Sequence, residues 1–488
     1  MILARKIAYN VILNSFLKVF STVALSLVSI RLMTGYLGQD GFGKYATILA
    51  FFAFFTAVTD LGLGSVTARE ISRSGADEEK ILGNVIALRL TTSFILLCVA
   101  PVAILLYTDS VDVKVGVFIA ALATIFATFS SVMNGIFQKH LAMDRIAMIE
   151  FLGKLLQVGL IFLVVKEDLG FFPITCTLIV ALAFNAFTAF LFSRRYVKFS
   201  PHFNFSYWKE FLGQSLPMGA TAIITFAYFK MDTILLSVLQ SNAHVGIYNV
   251  AYKIMENLIF FPAMLSGLIL PLLSRFIFTD RPRFEEIANK TFKVFIIIVV
   301  PIVIGTWFLA PDIVAIVSGP EFEASATVLR ILIFALGFIF FGSYFNMLLV
   351  VANAQKKLMQ TLIFAATFNI ALNLFMIPRY SYLGSATTAL FTEALVVFLT
   401  GMLVYRHIHF TPSFESVKWI LVSGVAMALA LFFLDPFSFF LSGCVGMGVY
   451  IVMLWLTRAV SPEEIASIFQ KDQSLPLSES ERIETLVP

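Results

Sequence analysis

The chain has 488 residues, of which 59% are hydrophobic and only 13% charged, with a net charge of +4. A soluble domain carries roughly 25% charged residues, so this supply cannot clothe a water-facing surface, and the small net charge argues against a nucleic-acid partner. Cys98, Cys176 and Cys444 all fall within apolar runs, where cysteine behaves as a small hydrophobe, so no disulfide framework is expected.

A bilayer is crossed by about 20 apolar residues in helical conformation. Apolar runs separated by short polar breaks predict about fourteen transmembrane helices. Their approximate spans are 7–33, 44–66, 82–107, 115–137, 146–165, 171–192, 211–239, 246–273, 288–309, 324–352, 358–377, 383–405, 416–434 and 437–457. The first run is too long for a signal-peptide core of roughly 7–15 residues, so it reads as a retained helix. Lysine and arginine placement sets the orientation. With the N-terminus in the cytoplasm, the outer loops carry only Lys44, Lys114, Lys166 and Arg379, a strong positive-inside bias. Both termini are then cytoplasmic, and the expected location is the cytoplasmic (inner) membrane.

The spans fall into an N-terminal lobe of six helices (1–192), a basic cytoplasmic linker (193–210), a C-terminal lobe of six helices (211–410), an accessory pair (411–458) and a polar cytoplasmic tail (459–488). The lobes echo each other. Gly43-Lys44-Tyr45 opens span 2 as Gly246-Ile247-Tyr248 opens span 8. Gln138-Lys139 precedes span 5 as Gln355-Lys356 precedes span 11, and Leu169-Gly170 corresponds to Leu383-Gly384. Six-helix repeats of this kind are the arrangement of transporters that hold a substrate between lobes near the bilayer midplane.

Charges at bilayer depth are costly and usually face a bundle interior or an aqueous cavity. Span 1 carries Asn10, Asn14, Lys18, Thr22 and Ser26 on one face. Its repeat partner, span 7, carries Gln214, Thr221, Thr225, Tyr228 and Asp232 in the same manner. These matched stripes predict the walls of a central cavity, helix–helix adhesion being the plainer alternative. Lys230 and Asp232 fall in the outer part of span 7, and Lys253 and Glu256 in the outer part of span 8, where a charge network and a substrate or ion site fit equally well. Arg89 lies in span 3 as a candidate phosphate contact, and Arg31 near the end of span 1 reads as a residue that anchors the interface or pairs locally. Asp60 and Glu393 are candidate proton or cation sites or partnered structural acids. Glu150 and Lys154, one turn apart, read as a simple helix pair. No Gly-x-x-x-x-Gly-Lys-Ser/Thr loop occurs, so ATP hydrolysis is not expected. The histidines lack metal-ligand spacing, and the external loops are too short for a catalytic constellation, so neither an enzyme nor a metal or other cofactor is expected.

The ordered motifs resemble the Wzx-type polysaccharide repeat-unit (O-antigen) flippases of the multidrug/oligosaccharidyl-lipid/polysaccharide exporter superfamily. They are Arg31-Leu32 through Gly38, Gly43-x-Tyr45, Asp60-Leu61-Gly62-Leu63 with Arg69-Glu70, and Asp232 followed by Gly246-x-Tyr248-x-x-Ala251-Tyr252-Lys253. Gly319-Pro320-Glu321-Phe322, Asn369-x-x-x-Asn373, Pro378 and Leu383-Gly384-Ser385-Ala386 complete the set. The resemblance implies an all-α, MATE-like fold of two six-helix lobes around a cavity open alternately to either side. It also implies an undecaprenyl-pyrophosphate-linked oligosaccharide as substrate for surface polysaccharide biosynthesis. Lys18, Arg89, Lys230 and Lys253, with Asn14 and Thr225, are then the expected contacts to pyrophosphate and glycan. Asp60, Asp232, Glu256 and Glu393 are the titratable candidates for coupling to a proton or sodium gradient. Membrane lipids, and a polysaccharide polymerase with its chain-length machinery, are the expected partners. A multidrug/cation antiporter of the same fold, a lipid II flippase and a non-transporting scaffold of a polysaccharide assembly complex are the rival readings.

Overall fold

The computed structural model describes the backbone of residues 2–73, 75, 77–105, 110–197, 202–415, 417–434 and 438–459; the side chains of 2–22, 65, 101–103 and 105 lie outside the described set. Expectations for Asn14, Lys18 and the tail therefore fall outside the described residues.

The fold is helical throughout, with no strand among the described residues. The helices are α1 (Ile2–Asp60), α2 (Leu63–Ile71), α3 (Glu78–Leu105), α4 (Val111–Lys139), α5 (Met143–Lys166), α6 (Phe171–Ser193) and α7 (Phe205–Leu239). They continue as α8 (Asn242–Leu258), α9 (Phe260–Phe276), α10 (Arg281–Ser318), α11 (Ala324–Val351), α12 (Gln355–Ile408), α13 (Val417–Phe433) and α14 (Phe439–Leu456). Among the described residues, 11 helices are long and apolar enough to cross a membrane, α8 and α9 together forming one of them. Two of these, α1 and α12, each hold two expected spans, and α13 is a shorter apolar helix. The expectation of about fourteen spans agrees with this pattern.

Two expected outer loops proved almost entirely helical. In α1 the only interruption is Gly38, at φ 64° and ψ −172°; in α12 it is Ser381, at φ 51° and ψ −131°. One residue in a left-handed conformation suffices to redirect the chain, so a polar break in the sequence need not become a loop. Elsewhere the ends are capped as their residues dictate. Asn204 accepts from the Tyr207 amide at 3.1 Å to start α7, and Asp280 accepts from Arg283 at 3.1 Å to start α10, with proline in the first turn.

The described chain divides into two compact units, residues 1–288 with 309–411, and residues 289–308 with 412–488. Within the smaller unit the middle of α10 packs against the accessory helices. Tyr450 Oη donates to the Ile297 carbonyl at 3.0 Å, and Asn289 Oδ1 accepts from the Ser413 amide at 2.7 Å. Large apolar side chains such as Phe94, Phe398 and Trp455 are exposed, as a lipid-facing exterior requires.

In the larger unit α1 packs against α4, α5, α7 and α8. The repeat-related glycines meet there. A Cβ on Gly43 would lie 1.8 Å from the Asn242 carbonyl oxygen, and one on Gly246 would lie 2.2 Å from that of Gln39. Backbone thus touches backbone where α1 crosses the start of α8, which no side chain would permit. Beside the crossing, Gln39 donates to the Glu321 carbonyl, Phe322 meets Phe42 edge-to-face at 6.1 Å, and Lys44 bridges Asp40 and Asp112 at 3.0 Å each. Arg31 packs against Gly319 of the same turn, so its anchoring role is within the protein. The Gly319-Pro320-Glu321-Phe322 motif is a clasp over α1 around its Gly38 kink.

Gly43→Ala and Gly246→Ala are each expected to destabilise this arrangement by about 1–3 kcal/mol through overpacking, whereas Gly35→Ala, which would meet nothing within 4 Å, should be neutral or better. Thermal melting of the purified variants checks the contrast.

Candidate functional site

Two lysines converge on one carboxylate, and a third stands within electrostatic reach of one of them. Lys230, on α7, reaches Glu256 Oε1 at 2.6 Å, and Lys253, one helical turn before Glu256 on α8, reaches Oε2 at 2.6 Å. The Lys230 ammonium also stands over the Tyr252 ring, 4.7 Å from its centroid, and Tyr252 Oη is tied to the Phe229 carbonyl at 2.6 Å. From the first half of the chain, Lys154 on α5 comes within electrostatic reach of Lys253 and donates to Gln157 at 3.1 Å. Both oxygens of Glu256 are thus occupied by ammonium groups, and cations still outnumber the carboxylate. An anion arriving here meets donors already gathered. The side chains of the pair and their partner are 20%, 28% and 34% exposed, so the cluster is accessible rather than sealed.

A second constellation lies deeper in the C-terminal half. Asp232, 4% exposed, accepts from Tyr248 Oη at 3.0 Å and from Asn373 Nδ2 at 2.6 Å. Asn373 also donates to Asn369 Oδ1 at 3.1 Å, and Asn369 donates to Thr392 Oγ1 at 3.3 Å. Glu393, one residue on, is 8% exposed and hydrogen-bonded with Tyr228. Tyr228 and Glu393 border two adjoining cavities, of about 120 and 20 Å³. Thr225 and Asn346 line the larger and Asp232 and Asn369 the smaller. Two acids from α7 and α12 thus share one nest of hydroxyl and amide groups, and Asn373 Oδ1 keeps an acceptor unfilled among the described residues.

In the N-terminal half Asp60, at the end of α1, pairs with Arg89 of α3. Both line a cavity of about 660 Å³ together with Thr56, Thr128, Ser131, Asn134 and Gln138.

The expected candidates therefore sort into three places. Lys230, Lys253 and Glu256 come together; Asp232 and Glu393 join a hydrogen-bonded network, with Thr225 on its cavity; Asp60 and Arg89 form a pair of their own. The residues of the span 7 stripe do not share one wall: Gln214 bonds Arg69 at 2.7 Å, Thr225 faces its cavity, and Asp232 is enclosed. Sequence reasoning gave Lys154 to Glu150, although a lysine so deep in an apolar span is itself a signal of function. It left Tyr248, Asn369 and Asn373 as family motif residues without a chemical role.

Tyr248→Phe and Asn373→Ala are each expected to cost about 1–3 kcal/mol by leaving Asp232 under-bonded in a buried site. In an Asp232→Asn background the penalties should shrink and cease to be additive, a coupling that a thermal-melting double-mutant cycle reads directly.

The profile of the polysaccharide biosynthesis protein family matches residues 7–277, and that of the MatE family residues 217–375. The lysine cluster on α7 and α8 falls within both. A probable low-salt glycan biosynthesis flippase, Agl15 of Haloferax volcanii, is 21% identical over 429 residues, covering 84% of this chain and 86% of that protein. The capsular polysaccharide biosynthesis protein CapF of Staphylococcus aureus is 23% identical over 320 residues, covering 63% and 78%. Among solved structures, the lipid II flippase MurJ in an inward closed conformation superimposes with TM-score 0.78 at 17% identity, over 92% of this chain and 99% of that one. An inward-facing multidrug resistance transporter of the MATE family superimposes with TM-score 0.64 at 16% identity, over 79% and 94%. These structures establish the fold, and the resemblance drawn from the motifs is borne out. With its profile matched over more than half of the sequence, the chain belongs to the polysaccharide biosynthesis protein family of the multidrug/oligosaccharidyl-lipid/polysaccharide exporter superfamily.

Proposed function

We propose that the protein is a flippase that carries an undecaprenyl-pyrophosphate-linked oligosaccharide from the inner to the outer leaflet of the cytoplasmic membrane by alternating access. The observation that carries this reading is the convergence of Lys230 and Lys253 on the single carboxylate of Glu256, with Lys154 within electrostatic reach of Lys253. A pyrophosphate bears several negative charges, and moving it through a low-dielectric region requires cationic donors that travel with or await it. A carrier of cationic drugs has the opposite need. Lys18 and Arg89 extend the same cationic supply, and Asn14, Thr221 and Thr225 offer donors and acceptors to sugar hydroxyls. The polyprenyl chain stays in lipid, where its burial is already satisfied.

The flip is coupled to a proton or sodium gradient through Asp232 and Glu393. Two carboxyl groups surrounded by hydroxyl and amide oxygens form a hard-ligand environment that suits either ion, and the open acceptor on Asn373 adds a further oxygen. Ion occupancy would reorder the contacts of α7 and α12, and α7 also bears Lys230 of the anion cluster. Glu256 acts as the counter-ion of the empty lysine cluster. Lysine and arginine placement supports cytoplasmic termini, and in that orientation the clasp at Gly43, Gly246 and Gly319 faces outward and must open for release.

Losing one charge-assisted hydrogen bond costs about 1.5–3 kcal/mol, or about ten- to a hundredfold in an equilibrium. Lys230→Glu and Lys253→Glu are therefore expected to lower surface polysaccharide at least about tenfold at matched protein levels, with Lys230→Arg close to the parent. Surface polysaccharide at parental levels in both reversals would remove the cluster from the transport path.

A further inference from the structure

Arg89 is fully buried, yet only part of its guanidinium is used. Nη1 donates to the Thr128 carbonyl at 3.1 Å, Nη2 pairs with Asp60, and Nε has no hydrogen-bond partner among the described residues. The side-on edge formed by Nε and Nη2, which matches a carboxylate or phosphate with two parallel hydrogen bonds, is thus half filled. Asp60 is not committed to Arg89 alone. It also accepts from the Gly62 amide at 3.2 Å and the Gly64 amide at 3.3 Å, and its side chain is 30% exposed.

Those amides belong to the break between α1 and α2 and to the first turn of α2, and the break leans on α7. A Cβ on Gly62 would lie 2.7 Å from the Ser215 carbonyl oxygen, and one on Gly219 would lie 2.7 Å from Leu61 Cα. One turn further along, Arg69 donates to Gln214 at 2.7 Å. One carboxylate therefore links the guanidinium of the 660 Å³ cavity to the seam between the first and second halves of the chain.

We propose that Arg89 is the centre of an anion subsite in which Asp60 is the resident counter-anion, and that a phosphate-bearing headgroup entering this cavity displaces Asp60 and so frees the α1–α2 break from α7. This rests on the anionic-substrate reading above. A phosphate offers Arg89 two oxygens where Asp60 engages one nitrogen, so the exchange gains a contact. Asp60 keeps its two backbone amides as partners and is not left bare. The break then loses its tether to α3, and the close backbone seam with α7 is the contact that yields. A ligand can shift such an equilibrium only by its preference for one state, and here that preference is the completed guanidinium edge.

The test uses the full chain in lipid nanodiscs, with Cys98, Cys176 and Cys444 changed to serine and reporter substitutions Arg69→Cys and Gln214→Cys. A short bis-thiol reagent reads the seam. Inorganic pyrophosphate, compared with chloride at equal ionic strength, is expected to lower the cross-linking yield at least about fivefold. Asp60→Asn should lower it before any pyrophosphate is added, Arg89→Gln should abolish the response, and Arg89→Lys should restore part of it. An undiminished response in Arg89→Gln, or a parental yield in Asp60→Asn, overturns the proposal. Should the single variants fail to fold, the neutral pair Asp60→Asn/Arg89→Gln decides: low yield indifferent to pyrophosphate supports it, and a parental response contradicts it. A second arm places polyprenyl pyrophosphate in the disc, which separates a lipid-borne headgroup from the free anion. Glycolipid translocation, followed in parallel, keeps the two readings apart. Transport without a pyrophosphate-sensitive seam defeats only this inference, and a sensitive seam without transport defeats only the flippase reading.

Discussion

Withdrawing a charged side chain from water costs several kcal/mol even after the protein relaxes around it, and the core of a bilayer offers no solvent to offset that cost. The deep charges of this protein answer it with partners drawn from other helices. Arg89 meets Asp60, Lys230 and Lys253 share Glu256, and Asp232 is held by Tyr248 and Asn373. Each solution joins two or three helices, so the placement of charge determines which helices are locked together. The lysine cluster differs from the others in one respect: its cations exceed its anion. On the proposed function, that imbalance is what receives the anion.

The repeat gives these pairs a frame. Where the two halves approach most closely, Gly43 and Gly246 remove every side-chain atom that could hold α1 and α8 apart. A seam made of backbone and one short clasp can separate with little repacking, unlike an interdigitated core. Farther along α1, the break at Leu61 and Gly62 makes a similar close contact with α7. The accessory helices form a separate unit with the middle of α10.

The number and position of the spans were legible because twenty apolar residues are hard to disguise. So was the depth of each charge, since position along a span measures depth. Partners were not. Periodicity tells which face of a helix a residue occupies, but not which helix lies opposite. Asp232 and Asn373 are joined across a long separation in sequence, as are Arg89 and Thr128. Lys154 shows the cost of local reasoning: spacing paired it with Glu150, whereas the fold turns it toward Gln157 and Lys253. The glycine echoes were seen as marks of a repeat, yet nothing in the sequence says that two repeat-related glycines touch. The continuity of α1 and α12 was hidden for a simpler reason. A polar stretch with one residue in a left-handed conformation reads the same whether it is a loop or a kink.

On the proposed function, the negative charge of the lipid carrier, rather than the glycan alone, is what the protein recognises. Purified protein in liposomes, given the same labelled oligosaccharide on polyprenyl pyrophosphate or on an uncharged polyprenyl glycoside, tests it directly. Protein-dependent translocation of the pyrophosphate-linked glycan, with little movement of the uncharged one, is the outcome this account requires. Equal translocation of both, or of neither, would contradict it.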